Sequence, residues 1–190
     1  ILQIRCIQRP WRGVVRTLQK QESALQGTVL HGEAALVTAV REAVGEARHV
    51  IDLFAGCGTF SLPLADQAEV HAVEGDAAMT AALDHGWRMS TGLKPVTTEA
   101  RDLFRRPLLP DELAKFDAVV IDPPRAGAQA QIAEIAASKL KRLVHVSCNP
   151  VTFARDAETL IAAGFTLDKL LVVDQFRFSA HVELAALFTR

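Results

Sequence analysis

The residue with the clearest chemical potential is Cys148, set in Ser147-Cys148-Asn149-Pro150 where an apolar run meets a helix-length segment. Asn149 reads as a helix N-cap and Pro150 as the first helical residue. The thiol is thereby expected at a helix N-terminus, where the macrodipole favours thiolate over thiol. A free cysteine titrates near about 8.5, so a modest drop yields a nucleophile close to neutrality. Lone cysteines are more often small core residues. Cys6 and Cys57, which lack such placement, are read in that way. Glu183 follows His181-Val182 and borders an apolar run. Partial burial would raise its pKa and suit it to general-base work. A carboxylate on an edge strand, paired with an arginine, is the plainer alternative, and position alone leaves both open.

A second group of residues has the character of a ligand pocket. Asp52-Leu53-Phe54-Ala55-Gly56-Cys57-Gly58-Thr59-Phe60 closes an apolar run and opens a helical segment. Gly56 and Gly58 allow a tight turn and a close approach of backbone to a ligand at the helix N-terminus. The third glycine of a dinucleotide fingerprint would fall at Ser61, which argues against a pyrophosphate and for a ligand without phosphates. Glu74 and Asp76 follow at the end of the next apolar run. Glu74 is placed to accept hydrogen bonds from ribose hydroxyls, and Asp76 to cap a helix. Asp102 suits either an adenine amino group or a solvated loop. Asp122, in Asp122-Pro123-Pro124-Arg125-Ala126-Gly127, directly follows an apolar run and needs a partner for its carboxylate.

These positions require a particular scaffold. Strand-length apolar runs at 49–54, 69–74, 95–101, 116–121, 142–147, 167–173 and 182–188 alternate with helical segments at 36–47, 60–67, 76–89, 128–141 and 150–163. The alternation predicts an α/β fold with a doubly wound, mostly parallel sheet buried on both faces. The gap between the last two strands is too short for a helical crossover, so that pair is expected as a C-terminal antiparallel hairpin. Ligand sites in such sheets lie at the carboxyl ends of the strands, where the residues above converge.

Composition narrows the class. The chain has 190 residues, 49% of them hydrophobic, which suits a globular domain with a sizeable core. No apolar run approaches a membrane span and no signal-peptide pattern opens the chain. The three cysteines have neither disulfide-framework nor zinc spacing, which points to a reduced, cytoplasmic setting. His71, His145 and His181 show no clustering with acids or cysteines in the sequence, so no metal is expected. A formal net charge of −1 is not that of a stand-alone nucleic-acid binder. Residues 1–30 break the strand–helix rhythm and are read as the remnant of a preceding module or linker, with 31–190 as the main domain.

Taken together, Asp52–Phe60, Glu74, Asp122–Ala128, Ser147–Asp156 and Asp174–Glu183 resemble, in order, the motifs of the S-adenosylmethionine-dependent RNA (uracil-5-)-methyltransferases. The Asp-Pro-Pro-Arg-Ala-Gly and Ser-Cys-Asn-Pro segments are specific as a pair. The resemblance implies the class I methyltransferase version of the Rossmann-like sheet, S-adenosylmethionine as cofactor, and a uridine of tRNA or rRNA as substrate. It implies Cys148 as nucleophile and Glu183 as proton acceptor. Phe54, Thr59, Glu74, Asp102 and Asp122 fall where the family contacts the cofactor, with Gly56 and Gly58 in the turn between. Gln26 matches a cofactor-contacting glutamine ahead of the first helix, although Ala24-Leu25-Gln26 departs from the usual aromatic-rich motif. Thr59 replaces an asparagine seen in some members. The family's RNA-recognition region and N-terminal β-barrel do not fit within the first 30 residues. Cytosine-5 enzymes commonly add a cysteine in the fourth-strand motif, where this chain has Asp122-Pro123-Pro124. Amino-group methyltransferases often have an aromatic residue where Arg125 stands. A non-catalytic cofactor- or RNA-binding fragment is the alternative from a different class.

Overall fold

The computed structural model describes residues 29–173 and 182–190. Cys6, Gln26 and His181, and with them the expectations for 1–28 and 174–181, lie outside the described residues. The elements run α1 (Val29–Val44), β1 (His49–Leu53), α2 (Ser61–Leu64), β2 (Glu69–Glu74), α3 (Ala77–Met89), β3 (Val96–Ala100) and α4 (Pro110–Leu113). They continue with β4 (Ala118–Ile121), α5 (Gln129–Ala137), β5 (Arg142–Ser147), α6 (Pro150–Ala162), β6 (Thr166–Val173) and β7 (Glu183–Thr189).

The strands form one seven-stranded sheet in the order β3-β2-β1-β4-β5-β7-β6. The first five are parallel. β7 pairs antiparallel with both β5 and β6. The antiparallel end expected from the short last connection is therefore present. Its placement was not foreseen: β7 enters between β5 and β6 rather than adding at the edge. Its run Leu184–Phe188 is buried throughout, which an interior position demands and an edge position does not.

Successive residues of a strand face opposite sides of the sheet, so the apolar runs feed two cores at once. Val50, Val120 and Val144 join Val40, Leu64 and Leu83 on one side. Ile51, Ile121 and Leu143 join Ile132, Leu160 and Phe188 on the other. No described helix is long and apolar enough to cross a membrane.

Helix bounds depart from expectation at α1, α2 and α5, the last ending at Ala137 rather than 141, and one further helix was not expected. α1 starts at Val29, not at 36, and ends at Val44 rather than 47. It runs through Gly32, which weakened the sequence signal, and it crosses the boundary expected between residues 30 and 31. α2 spans four residues instead of eight. α4 was not anticipated; Pro110 at its first position and Glu112 behind it are its only local signals.

Phe188 is fully buried and is among the largest such side chains. Truncating it leaves a cavity as well as lost contact area, at a cost of about 3–5 kcal/mol. Phe188→Ala is expected to lower the urea midpoint accordingly. A shift equivalent to less than about 1 kcal/mol would mean that β7 does not sit in the core.

Candidate active site

Because β1, β2, β3, β4 and β5 are parallel, Phe54, Glu74, Asp102, Asp122 and Cys148 all emerge at the same edge of the sheet. Antiparallel pairing then carries β7 back to that edge. Its register sets Ser147 opposite Leu184, which leaves Glu183 beside Cys148. A cavity of about 460 Å³ lies here, lined at one end by Phe54, Glu74, Asp102 and Phe104 and at the other by Asp122, Cys148 and Glu183.

Glu74 has a fixed carboxylate. Its Oε2 accepts from the Gly56 N–H at 3.0 Å and its Oε1 from the Asp76 N–H at 2.9 Å. A carboxylate has about four acceptor sites, so each oxygen keeps capacity for a second donor, the pattern a vicinal diol requires. Asp76 is the N-cap of α3, accepting from Ala78 and Met79. Asp102 uses Oδ1 to accept from the Phe104 and Arg105 N–H groups at 3.0 and 3.2 Å. Phe54 adopts φ 60°, a strained conformation for a residue with a Cβ, and its ring lies 5.3 Å from that of Phe104 at a 56° tilt.

The rest of the glycine turn is set back: Gly58 and Thr59 are not among the residues that line the cavity. Gly58 is buried with φ 102°, and a Cβ there would come within 3.0 Å of Leu83 and 3.2 Å of Leu62; it serves packing against α3. Thr59 is exposed, and so is Cys57, which is not the core residue it was taken for. Gly56 acts through its N–H on Glu74. Beneath the turn, Asp52 is fully buried and accepts from the Ser61 hydroxyl at 2.6 Å. Its Oδ1 is the one buried side-chain atom among the described residues without a partner. Burial raises this carboxyl to about 7, with Asp122 and Glu74 adding repulsion and Ser61 opposing.

At the other end, Asn149 caps α6 by accepting from the Val151 N–H at 3.0 Å, with Pro150 following as expected. Its amide also donates to the Arg125 carbonyl at 2.9 Å, which ties the Cys148 turn to the loop after β4. The thiol departs from expectation. Burial pushes the Cys148 pKa up, and the carboxylates of Glu183 and Asp122 push the same way; its own N–H and Arg125 pull it down but do not prevail. Burial, with two facing carboxylates behind it, sets the direction. Asp122 is raised to about 7 by burial and by Glu183.

Behind this turn is a pair that sequence reasoning missed. His145 and Asp156 are both fully buried, Nε2 to Oδ2 3.4 Å apart. Asp156 also accepts from Arg155 at 2.9 Å and from the Ala128 N–H at 3.4 Å. Burial works to raise Asp156, but these donors carry it below its usual value. Gly127, at φ 78°, packs against them so closely that a Cβ would collide with Arg155 and lie 3.0 Å from Thr152. His71 likewise meets Glu99, at 3.3 Å, and His49 lies 3.4 Å from Asp117, so acidic partners absent from the local sequence do occur. No group of three potential metal ligands occurs among the described residues.

Among the described residues, the lining contains four carboxylates (Glu74, Asp102, Asp122 and Glu183) and no lysine or arginine. That donor set repels phosphates and favours a cationic ligand with hydroxyl and amino donors. S-adenosylmethionine, a sulfonium and ammonium carrying a ribose and an adenine, has that chemistry.

Comparison with known proteins agrees. The family model for tRNA (uracil-5-)-methyltransferase matches residues 87–190. An uncharacterised RNA methyltransferase of Brucella suis biovar 1 is 52% identical over 166 residues, covering 87% of this chain and 40% of the relative. The 23S rRNA (uracil(1939)-C(5))-methyltransferase of Cronobacter sakazakii is 43% identical, covering 74% of this chain and 33% of that protein. This chain thus spans about two fifths or less of these relatives. Among solved structures, the Pyrococcus abyssi tRNA (uracil-54, C5)-methyltransferase with S-adenosyl-L-homocysteine superposes with a TM-score of 0.73 at 28% identity. It covers 88% of this chain and 40% of that one. Magnesium protoporphyrin IX methyltransferase from Synechocystis PCC 6803, with bound S-adenosylhomocysteine, gives 0.67 at 18% identity, covering 90% and 89%, a likeness of fold.

The field at Cys148 can be read by its alkylation rate against pH. The midpoint is expected above that of an ordinary thiol, since burial, Glu183 and Asp122 all oppose the thiolate. Asp122→Asn removes one negative neighbour and should move the midpoint down. An unchanged or higher midpoint would show that Asp122 does not act on the thiol.

Proposed function

The chain belongs to the tRNA (uracil-5-)-methyltransferase family, and from that premise we propose that it methylates C5 of a uridine in tRNA or rRNA, using S-adenosylmethionine, through a covalent bond between Cys148 and C6 of the base. The observation that carries this reading is one cavity shared by a ribose-type carboxylate, Glu74, and the pair Cys148 and Glu183.

When bound, S-adenosylmethionine supplies an electrophilic methyl group on a sulfonium. Glu74 accepts from the ribose hydroxyls and Asp102 from the adenine amino group. Phe54 packs beside them, while Gly56 holds Glu74 in place. Asp122 faces the cationic end. Gln26, matched to a cofactor-contacting glutamine by resemblance, belongs to this proposal on sequence alone.

C5 of uracil is a weak nucleophile, and covalent catalysis divides the barrier. The Cys148 thiolate adds to C6, and the electron pair displaced from the C5–C6 bond makes C5 an enolate carbon. Once C5 carries the methyl, Glu183 takes the C5 proton. The electrons of that C–H bond reform C5–C6 and expel the Cys148 thiolate. The uridine must leave its stack to reach the cavity.

Fluorine at C5 cannot be removed as a proton, so RNA containing 5-fluorouridine should trap the adduct. Intact mass after incubation with S-adenosylmethionine is expected to show the chain joined to methylated RNA. Cys148→Ala should give no adduct while still binding S-adenosylhomocysteine. With ordinary RNA, Glu183→Gln should accumulate an adduct that the unaltered protein resolves. Normal methylation by Cys148→Ala would sink the scheme.

A further inference from the structure

The loop after β4, residues 122–128, carries Asp122 and the two prolines that line the cavity, and few of its torsions are free. Pro123 and Pro124 fix their own φ. The Asp122 N–H donates to the Leu53 carbonyl at 3.2 Å, and the Gly127 N–H to the Pro124 carbonyl at 2.8 Å. Two further holds come from α6. Asn149 donates from its amide to the Arg125 carbonyl, and Asp156 accepts from the Ala128 N–H at 3.4 Å. These two residues are seven apart, about two helical turns, so they share one face of α6. Cys148 immediately precedes the N-cap of the same helix. The thiol's turn and the loop bearing Asp122 therefore hang from a single rigid element.

Asp156 is the unusual hold, because it places a charge in the core. It is 1% exposed, and replacing a buried ion pair by well-packed hydrocarbon is often neutral or stabilising. Stability alone does not account for it. All of its acceptor capacity is engaged. Oδ2 meets the Ala128 N–H and, at 3.4 Å, His145 Nε2, while Oδ1 accepts from Nε and Nη2 of Arg155 at 3.1 and 2.9 Å. His145, on β5, sits edge-on to Phe153 of α6 with ring centroids 5.3 Å apart, and its Nδ1 lies 2.9 Å from the Val146 carbonyl. Arg155 closes the outer side, where a Cβ on residue 127 would collide with it. Burial opposes the charge on Asp156, yet His145 and Arg155 keep its carboxyl below the usual value. A carboxylate held from three sides fixes the direction of the one backbone N–H it accepts from.

We propose that Asp156 is a positioning residue for the reaction, setting the loop 122–128, and with it the Asp122 carboxylate, at a fixed separation from the Cys148 thiol, with His145 and Arg155 as the groups that hold it. The inference rests on the reading of Cys148 as the nucleophile. Asp156, His145 and Arg155 are not among the residues that line the cavity, so their effect on the chemistry passes through the loop. Asp156 also closes the matched motif 147–156, where the reaction scheme gives it no other task.

The thiol itself reports the separation. Burial and Glu183 raise the Cys148 pKa and Asp122 adds to both, with Arg125 opposing. Alkylation of Cys148 against pH, with and without Asp122→Asn, measures the Asp122 contribution as the difference between two midpoints. In an Asp156→Asn background that difference should shrink by about half or more, because the released loop lets the carboxylate act from further away. Arg155→Ala should do the same, and Arg155→Lys should fall between it and the unaltered chain. The Arg155 side chain is 40% exposed, so its removal leaves the core filled and gives the same readings if Asp156→Asn folds poorly. A purely structural role would lower the urea midpoint and leave the Asp122 contribution as it was. An undiminished contribution in folded Asp156→Asn or Arg155→Ala would therefore overturn the proposal, whatever the change in stability. With 5-fluorouridine RNA, both variants should form the Cys148 adduct about tenfold more slowly or worse, and an unchanged rate would equally overturn it. An unaltered chain that formed no adduct would instead overturn the methylation reading, and this role with it, while the thiol midpoints still reported on the loop.

Discussion

The site depends on one feature of strand pairing, the antiparallel insertion of β7 between β5 and β6. Ser147 faces Leu184 across the β5–β7 ladder. The residue after β5 and the residue that opens β7 therefore lie side by side. Were β7 parallel, its seven residues at about 3.3 Å each would put Glu183 roughly 20 Å away, at the opposite edge. No side-chain adjustment spans that distance. The fully buried run of β7 keeps this register from slipping, since a shift by one residue would exchange Leu184, Ala186 and Phe188 with Ala185 and Leu187 between two close-packed cores.

The resulting cavity is electrically uneven. Among the described residues, four carboxylates face it and no lysine or arginine lines it, and burial raises the deepest of the nearby acids, Asp52 and Asp122, to about 7. Such an arrangement is costly when the acids ionise near one another, and a cationic ligand relieves it. Burial and the same field together raise the thiol of Cys148.

Precision at the strand ends comes from side chains bonding to backbone. Asn149 spends its oxygen on α6 and its nitrogen on the loop after β4. Asp156, with His145 and Arg155, fixes the same loop from below through the Ala128 N–H. Arg101 and Gln131 do this for the loop after β3. Irregular segments lack the repeating ladder that positions a strand, so polar side chains must supply the partners that buried backbone groups require.

Much of this was legible in the residues themselves. The alternating apolar runs gave seven strands close to their observed bounds, because a strand buried on both faces writes its environment into consecutive residues. Asn149, Pro150 and Asp76 announced their helix starts, since a cap acts on N–H groups only two or three positions away. The short last connection required an antiparallel pair. Other features are absent from any local window. The insertion of β7 depends on which edge offers a buried partner, and the role of Gln131 on a contact 23 residues back in the chain. Phe104 reads as an ordinary loop residue until its N–H is seen to bond Asp102 and its ring to lie against Phe54. The clearest case is Cys148: its own helix predicted a lowered pKa, and the folded protein raises it. Glu183, 35 residues further on, and Asp122, 26 residues back, are brought to it only by the sheet. Periodicity and capping act over a few residues and can be read along the chain, whereas burial and Coulomb fields act through space and exist only once the chain is folded.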